Sequence, residues 1–326
     1  MKLLRLLGWG LLLLVVLLAG GVALVWAPDR SVEALSPRWA PPPSRFVALQ
    51  GMQVHVRDEG PRDDPLPIVL LHGTSASLHT WDGWVGALKG QHRVIRLDLP
   101  GFGLTGPFPD GDYTLQHYVR FLGEFLEGMG VRQCVLAGNS FGGALAWQAA
   151  VALPQQVQAL ALVDAAGYPL QATSVPIGFR LAQMPLLAPL LRNVLPRSLI
   201  EASVRNVYGD PSRVTPELVD RYYELTLRTG NRDALTQRFR QVPGGNNEAL
   251  ISQIKQPTLI LWGQQDRLIP PVLGARFARD IAGSQLVIFP DLGHVPHEEN
   301  PAATVTAFQE FLARRVPRAG GGVAPK

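Results

Sequence analysis

The chain has 326 residues, 47% of them hydrophobic and 17% charged, with a net charge of +4. Arg314, Arg315, Arg318 and Lys326 carry that whole excess in a stretch with no acid, so the basic balance belongs to a tail and speaks against a nucleic-acid-binding face. The single cysteine, Cys134, excludes an internal disulfide, and no Cys/His spacing suits a metal; no cofactor is expected.

Residues 1–27 open with Lys2 and Arg5, then run uncharged from Leu6 to Ala27. That length predicts a membrane-spanning anchor. A cleaved signal peptide fits less well, because its apolar core is shorter and Pro28 directly follows Val25-Trp26-Ala27. The cations before the span predict an inside N-terminus, hence a single-pass protein with the domain that follows on the non-cytoplasmic side. Residues 28–45 contain Pro37, Pro41, Pro42 and Pro43 and read as an extended, fairly stiff linker. A globular domain is expected over 46–315, and a basic Gly/Pro tail over 316–326.

Within the domain, Phe46–Leu49 and Met52–Arg57 form a predicted hairpin turning at Gln50-Gly51. Pro67–Leu71 is an apolar strand followed by His72-Gly73-Thr74. Trp81–Lys89 is a short helix, and Arg93–Leu97 a strand that runs into Asp98-Leu99-Pro100-Gly101-Phe102-Gly103. Leu115, Tyr118, Val119, Leu122, Phe125, Leu126 and Met129 recur at helical spacing. Cys134–Leu136 and Ala159–Val163 are further apolar strands. Buried strands alternating with helices imply an α/β fold, a mostly parallel sheet with helices on both faces. The alternation stops over about 168–247, which holds helical patterns and many prolines but no convincing strand. It resumes at Thr258–Trp262, Pro271–Ile281, Gln285–Phe289 and Ala302–Arg314. A helical insertion at that point is a cap over the C-terminal ends of the strands, where ligands bind.

Gly138-Asn139-Ser140-Phe141-Gly142 lies between a strand and an Ala-rich helix. A nucleophile at a sharp strand-to-helix turn needs small residues two before and two after it, since neighbouring backbone comes close there. Ser140 is therefore the candidate nucleophile. A serine needs a base, usually an imidazole held by a carboxylate. Asp266, in the turn after Trp262-Gly263, and His294, after Asp291-Leu292-Gly293, follow in the required chain order. His297 is a rival base and Asp164 a reserve acid. The backbone N–H groups of Thr74 and Phe141 are candidate oxyanion donors. His72 is read as ordering the oxyanion loop. His55, His79, His92, His117 and His297 have no partner visible in the sequence.

These segments together resemble an α/β-hydrolase with a helical cap, and the resemblance spans most of residues 46–315. It implies a Ser140–His294–Asp266 triad with an oxyanion hole at Thr74 and Phe141. The anchor, linker and cap are similar to those of membrane-bound monoacylglycerol-lipase-like and bacterial esterase members. Haloalkane dehalogenases and epoxide hydrolases resemble the fold but use an aspartate where this chain has Ser140. Proline iminopeptidases usually carry a different elbow. C–C bond hydrolases of ring-cleavage products share the triad, but their usual Ser-Gly-Pro-Gly-like run is absent from 72–77. The expectation is a serine esterase acting on a small-molecule ester, lipid-like or of medium chain. A C–C hydrolase of a diketone is the alternative. A non-catalytic binding protein on the same fold is disfavoured because all three triad positions are filled.

Overall fold

The computed structural model describes residues 9, 10, 12, 16, 20, 21, 23–169, 172–184, 193–241 and 247–316. Eight strands form one sheet: β1 (Arg45–Leu49), β2 (Met52–Glu59), β3 (Ile68–Leu71), β4 (Val94–Leu97), β5 (Cys134–Asn139), β6 (Val157–Val163), β7 (Thr258–Gly263) and β8 (Gln285–Phe289). The spatial order is β1-β2-β4-β3-β5-β6-β7-β8. The β1–β2 and β2–β4 pairings are antiparallel and all the others are parallel. The hairpin turns at Gln50 and Gly51, both with positive φ (48° and 74°), the backbone that matches the twist of the flanking strands.

The central strands are predominantly apolar because both faces are covered. On one face, Val69, Leu71, Leu136 and Leu160 pack beneath α3 (Leu115–Gly128), α4 (Phe141–Ala152) and α9 (Val272–Asp280). On the other, Ile68, Leu70, Val135 and Ala137 meet α2 (Asp82–Leu88) and α11 (Pro301–Arg315). Trp84 on α2 stacks on Phe308 of α11 with ring centroids 4.8 Å apart. Among the described residues, four α-helices lie between β6 and β7: α5 (Ile177–Ala182), α6 (Arg197–Val207), α7 (Pro216–Thr226) and α8 (Asn231–Gln241). The short α10 (Pro296–Glu299) follows the last strand.

Two expectations for the N-terminal region are corrected. Among the described residues no helix is long and apolar enough to cross a membrane, and most of 1–22 lies outside the described residues. The anchor, the membrane as a partner and the single-pass, non-cytoplasmic placement therefore lose their support. The last residues of that stretch instead join the cap. Trp26 forms a bridge with Val194, the Ala27 N–H donates to the Asn193 carbonyl (2.8 Å), and Ala27 is buried against Leu195 and Leu227.

The stretch expected as an extended linker contains a helix, α1 (Val32–Trp39). Ser31 caps it by accepting from the Ala34 N–H. Pro37 lies inside it, and tertiary contacts override that breaker. Leu35 is 1% exposed against Leu104 and Leu225. Arg38 reaches Asp220 and Glu224, and the Trp39 indole donates to Glu224 (2.6 Å). Except for Val316, the expected tail lies outside the described residues.

Leu35→Ala leaves a cavity between this strap and α7. Urea unfolding should register a loss of about 2–5 kcal/mol. An unchanged midpoint would mean that α1 does not pack there in solution.

Candidate active site

Ser140 sits at the turn from β5 into α4 with φ 55° and ψ −116°, a region that a non-glycine residue occupies only when its surroundings compel it. The compulsion is visible on both sides. A Cβ on Gly142 would overlap the carbonyl oxygens of Leu71 and His72, and one on Gly138 would overlap the Gly142 carbonyl. The serine is thus pushed out of the sheet edge above the first turn of α4, whose N–H groups have no acceptor within the helix.

Asp266 and His294 come together as their spacing predicts. Asp266 Oδ1 accepts from the N–H groups of Leu268 (2.8 Å) and Ile269 (2.9 Å), and Oδ2 lies 2.7 Å from His294 Nδ1. Both residues are buried. With Nδ1–H turned to the carboxylate, Nε2 keeps its lone pair and can take a proton. His294 and Ser140 line one pocket together with Thr74. No hydrogen bond joins Ser140 to His294 among the described residues. Such contacts commonly tighten only when substrate is bound.

Of the two proposed oxyanion donors, Thr74 faces the pocket. Phe141 is the first residue of α4, and its ring turns into the core. There it packs on Tyr118 (centroids 4.9 Å apart) and beneath the Arg238 guanidinium, 3.6 Å from the ring centroid. Burial pulls the Arg238 pKa down to about 10, so it remains a cation at neutral pH and pins α8 of the cap over the elbow.

Several residues not singled out as supports hold this geometry. Asn139 Nδ2 donates to the carbonyls of Val163 (3.1 Å) and His294 (3.0 Å), tying β5 to the histidine loop. Glu299 accepts the N–H groups of Gly293 (2.8 Å), Gly209 (3.0 Å) and Asp210 (2.8 Å), and the His294 N–H donates to the Val207 carbonyl (2.7 Å). The cap and the histidine loop are thereby one unit.

His72 is bonded to backbone in the loops after β3 and β4. Its Nε2 accepts from the Leu99 N–H (2.9 Å), so Nδ1–H donates to the Gly73 carbonyl (2.7 Å). Burial pushes its pKa down and keeps the ring neutral. Asp98 accepts from the N–H groups of Leu78 and Leu104 and pairs with His55 Nδ1 (2.7 Å). Burial pushes its carboxyl up, but His55, with His72 and His79, outweighs that and holds it well below the usual range.

The other histidines also have partners. His79 meets Ser77, Arg57 and the Trp39 carbonyl, and burial lowers its pKa to about 3. His92 lies near Asp64, and His117 near Asp110 and Asp112. His297, the rival base, is fully buried 3.1 Å from Thr80 Oγ1 and packed on Trp81. The Trp39–His79 and Thr80–His297 pairs join residues far apart in the chain, which is why the sequence concealed them.

Two variants test the roles proposed for these residues. Ser140→Ala should abolish covalent labelling by a fluorophosphonate probe while leaving the thermal melt in place; undiminished labelling would exclude Ser140. Asp266→Asn should cost on the order of 10⁴ in kcat, the loss seen when an imidazole is left in the wrong tautomer. A loss below tenfold would remove Asp266 from the role.

Comparison with known proteins agrees with this architecture. Residues 67–301 match the family described as alpha/beta hydrolase fold. The chain is 28% identical over 287 residues to a 2-hydroxymuconate semialdehyde hydrolase of Pseudomonas putida, covering 85% of this chain and 97% of that protein. Among solved structures, a membrane phospholipase A described as a novel bacterial virulence factor is 26% identical with a TM-score of 0.72, covering 96% of this chain and 98% of the other. A thermophilic esterase from Thermogutta terrifontis is 26% identical with a TM-score of 0.68, covering 83% and 97%. A strained serine between β5 and α4, an Asp–His pair from the turns after β7 and β8, and the match over 67–301 lead to one conclusion: the chain belongs to the alpha/beta hydrolase fold family, and it is a hydrolase.

Proposed function

We propose that the protein hydrolyses carboxylic esters with medium-chain or lipid-like acyl groups, through an acyl-enzyme on Ser140. The observation that carries this reading is the character of the pocket containing Ser140 and His294. Phe179, Leu199, Ile200, Val204, Val207 and Leu235, all between β6 and β7, make its walls predominantly apolar. Gly178, Phe179, Leu181 and Ala182 of α5 contribute here. Thr74, Ser75, Ser140 and His294 are among its polar lining residues. Apolar walls with a few convergent polar groups suit an acyl chain whose ester carbonyl lies at the serine.

In this reading Ser140 Oγ attacks the carbonyl carbon as its proton passes to His294 Nε2, and Asp266 stabilises the imidazolium. The oxyanion faces the N–H groups of Thr74 and Phe141. The tetrahedral intermediate collapses, the alcohol leaves with the proton from His294, and the acyl group stays on Ser140. Water, deprotonated by the same imidazole, then attacks the acyl-enzyme, and the acid departs with Ser140 restored.

Relatives named as a phospholipase A and as an esterase support ester cleavage. The relative named as a semialdehyde hydrolase keeps the C–C reading in view. A dienoate substrate brings a carboxylate into the pocket. Among the described lining residues the cationic side chain is Arg232, and it is ion-paired with Asp29 of the N-terminal segment. That favours an uncharged acyl chain.

Each methylene buried along the apolar walls is worth about 0.8 kcal/mol, roughly fourfold in kcat/KM if realised in the transition state. A series of p-nitrophenyl and glyceryl esters should therefore rise in kcat/KM from acetate to medium chains. Fastest turnover on acetate, falling steadily with length, would contradict the lipid-like reading. Hydrolysis of a vinylogous diketone with no ester turnover would establish the C–C alternative.

A further inference from the structure

Asp164 terminates β6 much as Ser140 terminates β5. Both have positive φ, 44° and 55°, a conformation that only over-determined, often functional, positions retain. Asp164 has no exposed surface. Its Oδ1 accepts the Gly263 N–H (3.0 Å), while Oδ2 is buried without a hydrogen-bond partner that meets the usual geometry. One carboxylate oxygen of Asp164, one of Asp266 and a ring nitrogen of His294 all lie within 4.8 Å of one another.

Two carboxylates this close in a dry site do not both ionise. The donors around them decide which one keeps the proton. Asp266 receives the N–H groups of Leu268 and Ile269 and the His294 Nδ1–H, and three donors favour a carboxylate. Asp164 receives a single N–H, from Gly263.

We propose that Asp164 is a positioning residue, a neutral carboxylic acid that turns its O–H toward the Asp266 carboxylate and so holds Asp266 against the His294 ring. Burial pushes the Asp164 carboxyl far above its ordinary range, the charge of Asp266 pushes it further, and Glu299 adds to this, against the single Gly263 N–H. The neutral acid supplies a donor without bringing a second negative charge to compete for the imidazolium. No covalent step is involved. The proton stays on Asp164 throughout turnover.

The inference rests on the assignment of Ser140, His294 and Asp266, but not on which substrate the pocket takes. Its tests are chosen accordingly. The infrared difference spectrum of wild type minus Asp164→Asn at neutral pH should contain the C=O band of a protonated carboxyl. Its absence would overturn the proposal without reference to any substrate.

The rate of fluorophosphonate labelling at Ser140 supplies the second readout. Asp164→Val, which removes the donor, should slow labelling by on the order of tenfold or more. Asp164→Asn offers an amide N–H to Asp266 and an amide oxygen to Gly263, and should recover most of that rate. Labelling by Asp164→Asn as slow as by Asp266→Asn would make Asp164 an ionised orienting acid and refute the proposal. So would wild-type labelling by Asp164→Val. Should Asp164→Val fail to fold, the infrared band and the Asp164→Asn labelling rate still decide. If Ser140→Ala labels normally, the assignment of the nucleophile fails instead, and the infrared band still reports the proton on Asp164.

Discussion

The crowding of backbone around Gly142 is the constraint from which the site follows. No side chain fits there, because the carbonyls of Leu71 and His72 occupy the space. The chain leaving β5 must therefore turn sharply, which drives Ser140 into a strained conformation and starts α4 immediately beyond it. The same close approach sets the loop after β3 beside the turn, so that Thr74 and Ser140 border one pocket. His72 and Asp98 keep that loop in place with bonds to backbone N–H groups, one from a neutral ring and the other from a carboxylate. Strain at one residue is thus sustained by packing and hydrogen bonding spread over three strand ends.

A second close approach joins the cap to the histidine loop. A side chain on Gly293 would collide with Gly209 and Val207 at the end of α6, and one on Gly209 would meet Asp291 and Gly293. Glu299 accepts N–H groups from both sides of that contact. On the far side of the cap, the strap from Trp26 to Trp39 binds α7 and the residues around 193–195 and 227–230. The cap is therefore anchored at the candidate base, at the elbow through Arg238 and Phe141, and at the N-terminal segment. Its apolar inner surface is held at a fixed place relative to Ser140, which is what selection by chain length requires.

The sequence displayed what depends on contiguous residues. The two glycines around Ser140 were legible because steric crowding acts within five residues. Asp266 and His294 were legible because both stand in turns directly after apolar strands. The parallel sheet could be read because strands buried on both faces are near-continuous apolar runs. Contacts between distant segments were hidden: Asp164 beside Asp266, Glu299 across the cap, and His55 on Asp98 all depend on topology. The N-terminal region misled for a related reason. Twenty-two uncharged residues satisfy the length of a membrane span, and four prolines suggest an extended linker. Neither pattern reveals that Ala27 and Leu35 find buried sites against the cap.

The central claim is that Ser140, the Thr74 and Phe141 N–H groups and the apolar cap wall act together on one acyl ester. The most direct measurement is a crystal structure of the protein inactivated by a medium-chain alkyl phosphonate ester. The account predicts continuous density from Ser140 Oγ to phosphorus and a phosphoryl oxygen within hydrogen-bond distance of both N–H groups. The alkyl chain should lie against Phe179, Leu199, Ile200 and Val204. An adduct on another residue, or a chain directed into solvent away from that wall, would contradict it.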